Sequence, residues 1–198
     1  MPERFASQVL TGQHVRLEPL EARHFPLLLV ALEPDIFTYM NPDPLRDPEI
    51  LKKGVLPESL NPSRRPFVTF DIADGELAGS SSLYLVRPES RTFEIGGTWV
   101  KKVYQGTQVN TEAKYLMLRY AFEVWQAIRV QIRTHDKNER SKRATEKLGL
   151  VKEGVIRNES IFRDGRYRDT AIYSVIRAEW PEVKARLEEK IALSEYIK

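Results

Sequence analysis

Apolar residues along this chain switch between two repeat periods, and the switches mark its elements. His14–Leu20 alternates polar and apolar, which predicts a strand, whereas Glu21–Leu32 has helical spacing, with Pro26 fitting only a first turn. Four prolines between Glu33 and Pro48 predict irregular chain, and a second helix is expected from near Asp47 to Asn61-Pro62. Phe67–Ile72, Ala78–Val86 and Thr92–Val100 read as strands. The first two meet at Asp74-Gly75, a hairpin signal, and the short links make all three antiparallel.

Further on, Thr111–Trp125 carries Ala113, Leu116, Met117, Tyr120, Ala121 and Val124 at helical spacing, and Leu118, Phe122 and Trp125 widen that face into a central helix. Arg129–Thr134 alternates as a strand. Ser141–Leu148 predicts a short helix closed by a left-handed Gly149, and strand, helix, strand implies a parallel crossover. Val151–Phe162 and Asp169–Ile176 form a closing hairpin. The last helix, 178–193, puts Trp180, Val183, Leu187 and Ile191 on one stripe with Pro181 in its first turn. With no repeat, linker or low-complexity tract, residues 1–198 read as one mixed α+β domain, with a core at about 14–176.

Composition narrows the chemistry. The 41% hydrophobic and 30% charged content is that of an ordinary globular chain. The absence of cysteine excludes disulfides and thiolate chemistry, and His14, His24 and His135 have no zinc-type spacing, so no metal is expected. A net charge of +3, with acids interspersed through Arg129–Lys147, argues against nucleic acid as the main ligand. Met1–Gln13 has no apolar leader, and no window approaches the roughly 20 apolar residues of a membrane span. The expectation is a cytoplasmic protein without a membrane partner.

Gln105–Ala113 is a polar turn opening a strong helix, and the unpaired N–H groups of a helix start suit a phosphate-bearing cofactor. Downstream lie Asn138-Glu139-Arg140-Ser141 and Lys147-Leu148-Gly149. The order of elements around this turn resembles the GNAT superfamily of acetyl-CoA-dependent N-acetyltransferases. Glu94–Val100, Thr111–Ala113, Ala121–Glu123, Asn138–Ser141, Glu146–Gly149 and Glu153–Arg157 together look like the ribosomal-protein N-terminal acetyltransferase (Rim-type) branch, and the resemblance covers about 14–176.

That resemblance implies a GNAT fold: a mixed, mostly antiparallel twisted sheet of about seven strands flanked by helices, with an extra C-terminal helix. Acyl-CoA would thread between the splayed strands Thr92–Val100 and Arg129–Thr134. Trp99 and Val100 would meet pantetheine through their main chain, and Gln105, Gly106, Thr107, Gln108, Val109, Asn110 and Thr111 would cradle pyrophosphate. Asn138 matches a cofactor-contacting amide, and Ser141 would sit beside the thioester and hydrogen-bond the departing thiolate. The attacking amine must be neutral, and the developing oxyanion needs donors such as the N–H groups near Thr98–Val100. For the base, Glu94 matches an acidic residue kept near the amine, and Ser160 stands where Rim-type enzymes have a glutamate. Glu159 beside it should face the other way unless a bulge intervenes. On the residues alone, Trp99 reads equally as a core aromatic, Asn138 and Ser141 as helix caps, and Glu94 as a solvated carboxylate.

The chain departs from the family in the turn, where glycine is usual at the position of Gln108 and glycine or alanine at that of Asn110. Glycine permits close backbone approach and positive φ, so either the turn aims its N–H groups by another conformation or the site binds CoA weakly. The expected activity is direct acetyl transfer from acetyl-CoA to a primary amine, on a protein N-terminus or a small molecule. The alternative is a catalytically weak acyl-CoA-binding or sensor module. A ribosome-associated protein rests only on family analogy and a pI near 9.0. Phe37, Tyr39 and Met40 are either acceptor-pocket or packing residues, and Arg163–Asp169 is either an acceptor contact or a solvated hairpin tip. Oligomeric state is open, a homodimer being one outcome the fold allows.

Overall fold

Residues 8–33, 38–40, 63–87, 89–162 and 165–193 are described by the computed structural model. The expected helix near Asp47–Asn61, together with Phe37, Arg163 and Asp164, lies outside them. Strands β1 (Leu10–Thr11), β2 (Val15–Pro19), β3 (Arg64–Asp71), β4 (Leu77–Arg87), β5 (Thr92–Val100), β6 (Arg129–His135), β7 (Val151–Ile161) and β8 (Tyr167–Ile176) form one sheet in the order β1-β2-β3-β4-β5-β6-β8-β7. All neighbours are antiparallel except β5 and β6, the parallel crossover expected from the sequence. Helices α1 (Phe25–Ala31), α2 (Gln108–Arg119), α3 (Glu139–Lys147) and α4 (Trp180–Leu193) flank it. Among the described residues, no helix is long and apolar enough to cross a membrane.

Several boundaries moved, each for a local reason. The two residues of β1 are too few to show a period. The β3 strand starts at Arg64 because Arg64, Arg65 and Pro66 pair with Tyr84, Leu83 and Ser82 although they break the apolar alternation. Helix α2 starts at Gln108, three residues before the expected Thr111, because Thr107 caps it by accepting from the Val109 N–H. Its far end relaxes into a π turn, Tyr120–Val124. For α3, Asn138 is the N-cap and Glu139 the first residue, and Gly149 follows at φ 91° as expected.

Successive residues of β3 point to opposite faces, so Phe67 and Val68 enter different cores. The larger core packs α2 and α4 against the sheet through Leu17, Phe93, Ile95, Leu116, Leu118 and Leu187. The smaller joins Phe25 and Leu28 of α1 to Val68, Phe70, Leu77 and Trp99. Helix α4 is fixed to the α2 segment by the Tyr115 hydroxyl donating to Glu188 Oε1 at 2.6 Å and by Phe122 stacked on Trp180.

A bulge in β5 breaks this two-face order. Ser82 pairs with Gly96 but Ser80 pairs with Trp99, so Gly97 and Thr98 together oppose Ser81. Gly97 takes φ 59°, which a side chain would resist. The extra residue reverses the alternation: Phe93 and Ile95 face α2, whereas Trp99 enters the α1 core and Thr98 turns toward α2.

Helix α2 also holds the start of the sheet. Buried Glu112 accepts hydrogen bonds from the backbone N–H groups of Gln13, His14 and Val15 at 2.7, 2.6 and 2.8 Å. A Cβ at Gly12 would run into the same carboxylate. Glu112→Ala strands three inward N–H groups and is expected to cost about 3 kcal/mol of unfolding free energy, read from urea denaturation. Gly12→Ala, which pushes the carboxylate off those groups, should cost about 1–3 kcal/mol. A Glu112→Ala protein as stable as wild type would show that the clamp carries no weight.

Candidate active site

Backbone pairing between β5 and β6 runs from Thr92↔Arg129 to Ile95↔Ile132 and stops there. Beyond that point β5 continues to Val100 and β6 to His135, and the strands diverge around a cavity of about 620 Å³. The divergence follows from the bulge at Gly97, which turns β5 away just where the pairing ends. The open edge of β5, the first turn of α2 and the start of α3 face one another across this wedge.

The cavity gathers Glu94, Trp99, Val100, Gln105, Gly106 and Asn110 from one side, with Asn138 and Ser141 opposite. Thr107, Gln108, Val109 and Thr111, also expected to cradle pyrophosphate, do not line it. Val109 is a core residue. Thr107 is taken up as the cap, its hydroxyl also donating to the Tyr104 carbonyl at 2.7 Å. Trp99 is buried in the α1 core, so the core-aromatic reading holds for its ring, and the residue also borders the wedge.

Gln108 and Asn110 lie inside α2, and the left-handed residue of the turn is Gly106, at φ 82° with open space where a Cβ would stand. The side-chain oxygen of Gln108 is buried rather than directed into the cavity. The first turn of a helix leaves four N–H groups without intrahelical partners, and Thr107 satisfies that of Val109. That of Thr107 bonds the Tyr104 carbonyl at 3.4 Å, and those of Gln108 and Asn110 make this end of the wedge an anion-favouring surface.

The side chains of Gln105 and Arg140 together bridge the wedge. Gln105 donates from Nε2 to the Val100 carbonyl at 3.0 Å and accepts at Oε1 from the Arg140 guanidinium on α3. Asn138 Oδ1 accepts from the Ser141 N–H at 3.1 Å, so the capping reading holds for that oxygen while both residues border the cavity.

At the other end of the cavity charged side chains converge. Glu94 accepts from Gln131 Nε2 at 2.8 Å and lies 4.0 Å from Arg133. Burial pushes its carboxyl above the ordinary range, and Gln131, Arg133 and Arg168 only partly pull it back. Glu159 pairs with Arg133, and both Glu159 and Ser160 line the cavity. The bulge that this required is present: β7 slips register between Ile156 and Ser160 around Asn158, whose φ is 50°. His135 sits between Tyr39 and Phe162, and burial first, then Arg168, hold its pKa below the usual value. Tyr39 and Met40 both line the cavity, and Met40 also packs on the α1 core, so each reading of that pair captures part of its position.

Sequence reasoning missed Arg133, Arg140, Arg168 and Lys114. The last was detectable, because it shares a helical stripe with Leu118 and Trp125, where a solvated lysine does not belong. It is buried, donates from Nζ to Ser81 Oγ at 2.5 Å and to Thr98 Oγ1, and desolvation lowers its pKa to about 7.

Residues 14–151 match the family model described as "Acetyltransferase (GNAT) domain". "Putative ribosomal N-acetyltransferase YdaF" of Bacillus subtilis (strain 168) is 34% identical over 107 residues, which are 54% of this chain and 57% of that protein. The chain thus spans little more than half the length of this curated relative. Among solved structures, a "putative acetyltransferase" from T. thermophilus is 40% identical with TM-score 0.84, covering 93% of this chain and 97% of that one. A "GCN5-related N-acetyltransferase from Brucella melitensis" is 31% identical with TM-score 0.84, covering 95% and 86%. The splayed parallel pair, the helix that opens at its mouth and these likenesses agree: the chain belongs to the GNAT acetyltransferase family.

Proposed function

We propose that this protein transfers the acetyl group of acetyl-CoA directly to a primary amine, a protein N-terminus or a small-molecule amine. The observation that carries the reading is the wedge between β5 and β6 with the N-terminus of α2 at its mouth. The residues fit an acyl-CoA: Gly106 leaves its backbone open to a phosphate, and the β5 edge beyond Ile95, where pairing with β6 has stopped, suits an extended amide-bearing arm. When bound, the donor supplies an activated acetyl thioester.

The chain's own residues do the rest. The backbone N–H groups of Gly106, Gln108 and Asn110 hold the diphosphate, with Arg140 beside them. N–H groups of β5 at the bulge, near Thr98–Val100, are fixed donors for charge developing on the carbonyl oxygen, and their rigidity is what gives them value. Ser141 Oγ hydrogen-bonds on the sulfur side. Glu94 takes the proton of the incoming ammonium, directly or through water. A carboxyl raised by burial is better matched to that task than a solvated one.

In an assay of CoA release with acetyl-CoA and an amine panel, Glu94→Gln is expected to lose about 100-fold in kcat/KM. Only the ionised carboxylate accepts the proton, so wild-type activity should fall as pH drops through the raised Glu94 pKa, and the variant should lack that limb. Ser141→Ala should cost about tenfold, the worth of one hydrogen bond at the sulfur. Binding of acetyl-CoA without turnover on any amine would leave the chain a binding or sensor module.

Because Gln108 lies in helical geometry, Gln108→Gly is expected to leave acetyl-CoA affinity unchanged or weaken it up to about fivefold, the cost of glycine within a helix. Calorimetric titration reads this directly, and tightening would show that the glycine-poor turn impairs the site.

A further inference from the structure

Lys114 belongs to no step described so far. It rises from α2 one turn beyond Asn110, reaches under the bulge and touches Ser81 on β4 and Thr98 on β5. Those two hydroxyls also meet each other at 2.5 Å. Such a buried amine ordinarily has a carboxylate partner, but Glu112, its neighbour on α2, is turned to the Gln13–Val15 backbone. The charged and histidine groups on the other elements around the cavity are Glu94 on β5, Arg133 and His135 on β6, Arg140 on α3, Glu159 on β7 and Arg168 on β8. None of them shifts Lys114, whose pKa of about 7 comes from desolvation alone.

The two contacts match the donor count of a neutral amine. A neutral amine has two N–H donors, enough for Ser81 and Thr98, whereas an ammonium has three. With two contacts made among the described residues, a third donor needs an acceptor, and the cavity that Lys114 lines is where one would arrive.

We propose that Lys114 is a proton-coupled binding residue for the acyl donor: when the donor enters the wedge, Nζ takes a proton from solvent and donates its third N–H to a carbonyl oxygen of the amide and thioester arm. This rests on the acetyl-CoA reading above. The balance is one proton gained from buffer, with no covalent change. The carbonyl oxygen and the donor's phosphates both favour the cation, so the Lys114 pKa rises on binding and affinity falls as pH rises past neutrality. A rise of one unit weakens wild-type binding about tenfold between pH 6 and pH 9, with uptake peaking at about half a proton near pH 7.5.

The test is calorimetric titration of acetyl-CoA into the protein in buffers of different ionisation enthalpy across that range, for wild type, Lys114→Arg and Lys114→Met. The donor's own phosphate titration is common to all three proteins and cancels. Wild type should show the excess uptake, whereas Lys114→Arg, permanently charged, and Lys114→Met, uncharged, should not. Should neither variant fold, carbon-13 NMR of wild type labelled at lysine Cε reads the same property. One lysine should titrate near neutral pH and move upward on adding acetyl-CoA. Equal uptake in wild type and Lys114→Arg, or no lysine titrating below pH 9, overturns the inference while leaving the acetyl-CoA site standing. Failure of wild type to bind acetyl-CoA at any pH removes both.

Discussion

At the bulge, Gly97 and Thr98 together stand against Ser81, and this one extra residue decides most of what the cavity can be. It carries Trp99 from the α2 face to the α1 core and turns Thr98 inward. It also directs β5 away from β6 just beyond Ile95. A regular strand there would have kept pairing with β6 and closed the cleft. Open peptide edges are costly unless water or a ligand reaches them, so a bulge fixed by glycine is a stable way to keep an edge both exposed and rigid.

Helix α2 ties this opening to the rest of the molecule. Its first turn faces the wedge, Glu112 holds the β1–β2 turn, Lys114 reaches the bulge, and Leu116 to Leu118 fill the large core. Few positions along it can change without moving a second feature, because the anion-favouring end and the sheet clamp are separated by barely one turn. The charged residues at the far end of the cavity follow a different logic. Arg133 pairs with Glu159 and lies 4.0 Å from Glu94, whose carboxylate accepts its hydrogen bond from the neutral Gln131 amide.

Much of this architecture was legible in the sequence because it rests on period and punctuation. The β5 strand, Thr92–Val100, was read to the residue, Gly149 ended α3 as expected, and the parallel crossover followed from strand, helix, strand. Glu94, Asn138 and Ser141 fell into one cavity from spacing and resemblance alone. What stayed hidden depends on register. A bulge leaves no periodic trace, so neither the switch at Gly97 nor the slip near Asn158 that turns both Glu159 and Ser160 inward could be read. Cross-chain partners such as Arg133 for Glu159, or three distant N–H groups for Glu112, are likewise invisible before the strands are laid side by side. In the turn, the left-handed residue is Gly106, whereas the backbone at Gln108 is helical, a conformation that spacing alone does not reveal.

Gln105 links the Val100 carbonyl to Arg140 across the wedge. A molecule that settles along the β5 edge therefore inherits partners already engaged, and its binding is largely an exchange of hydrogen bonds, each worth little net. Small anions or water can disturb the bridge at one point without replacing it along its length. Only a long, flexible chain with polar groups spaced to match both the strand edge and the helix start recovers everything the bridge gives up, so the cleft discriminates by length and spacing more than by the strength of any one contact.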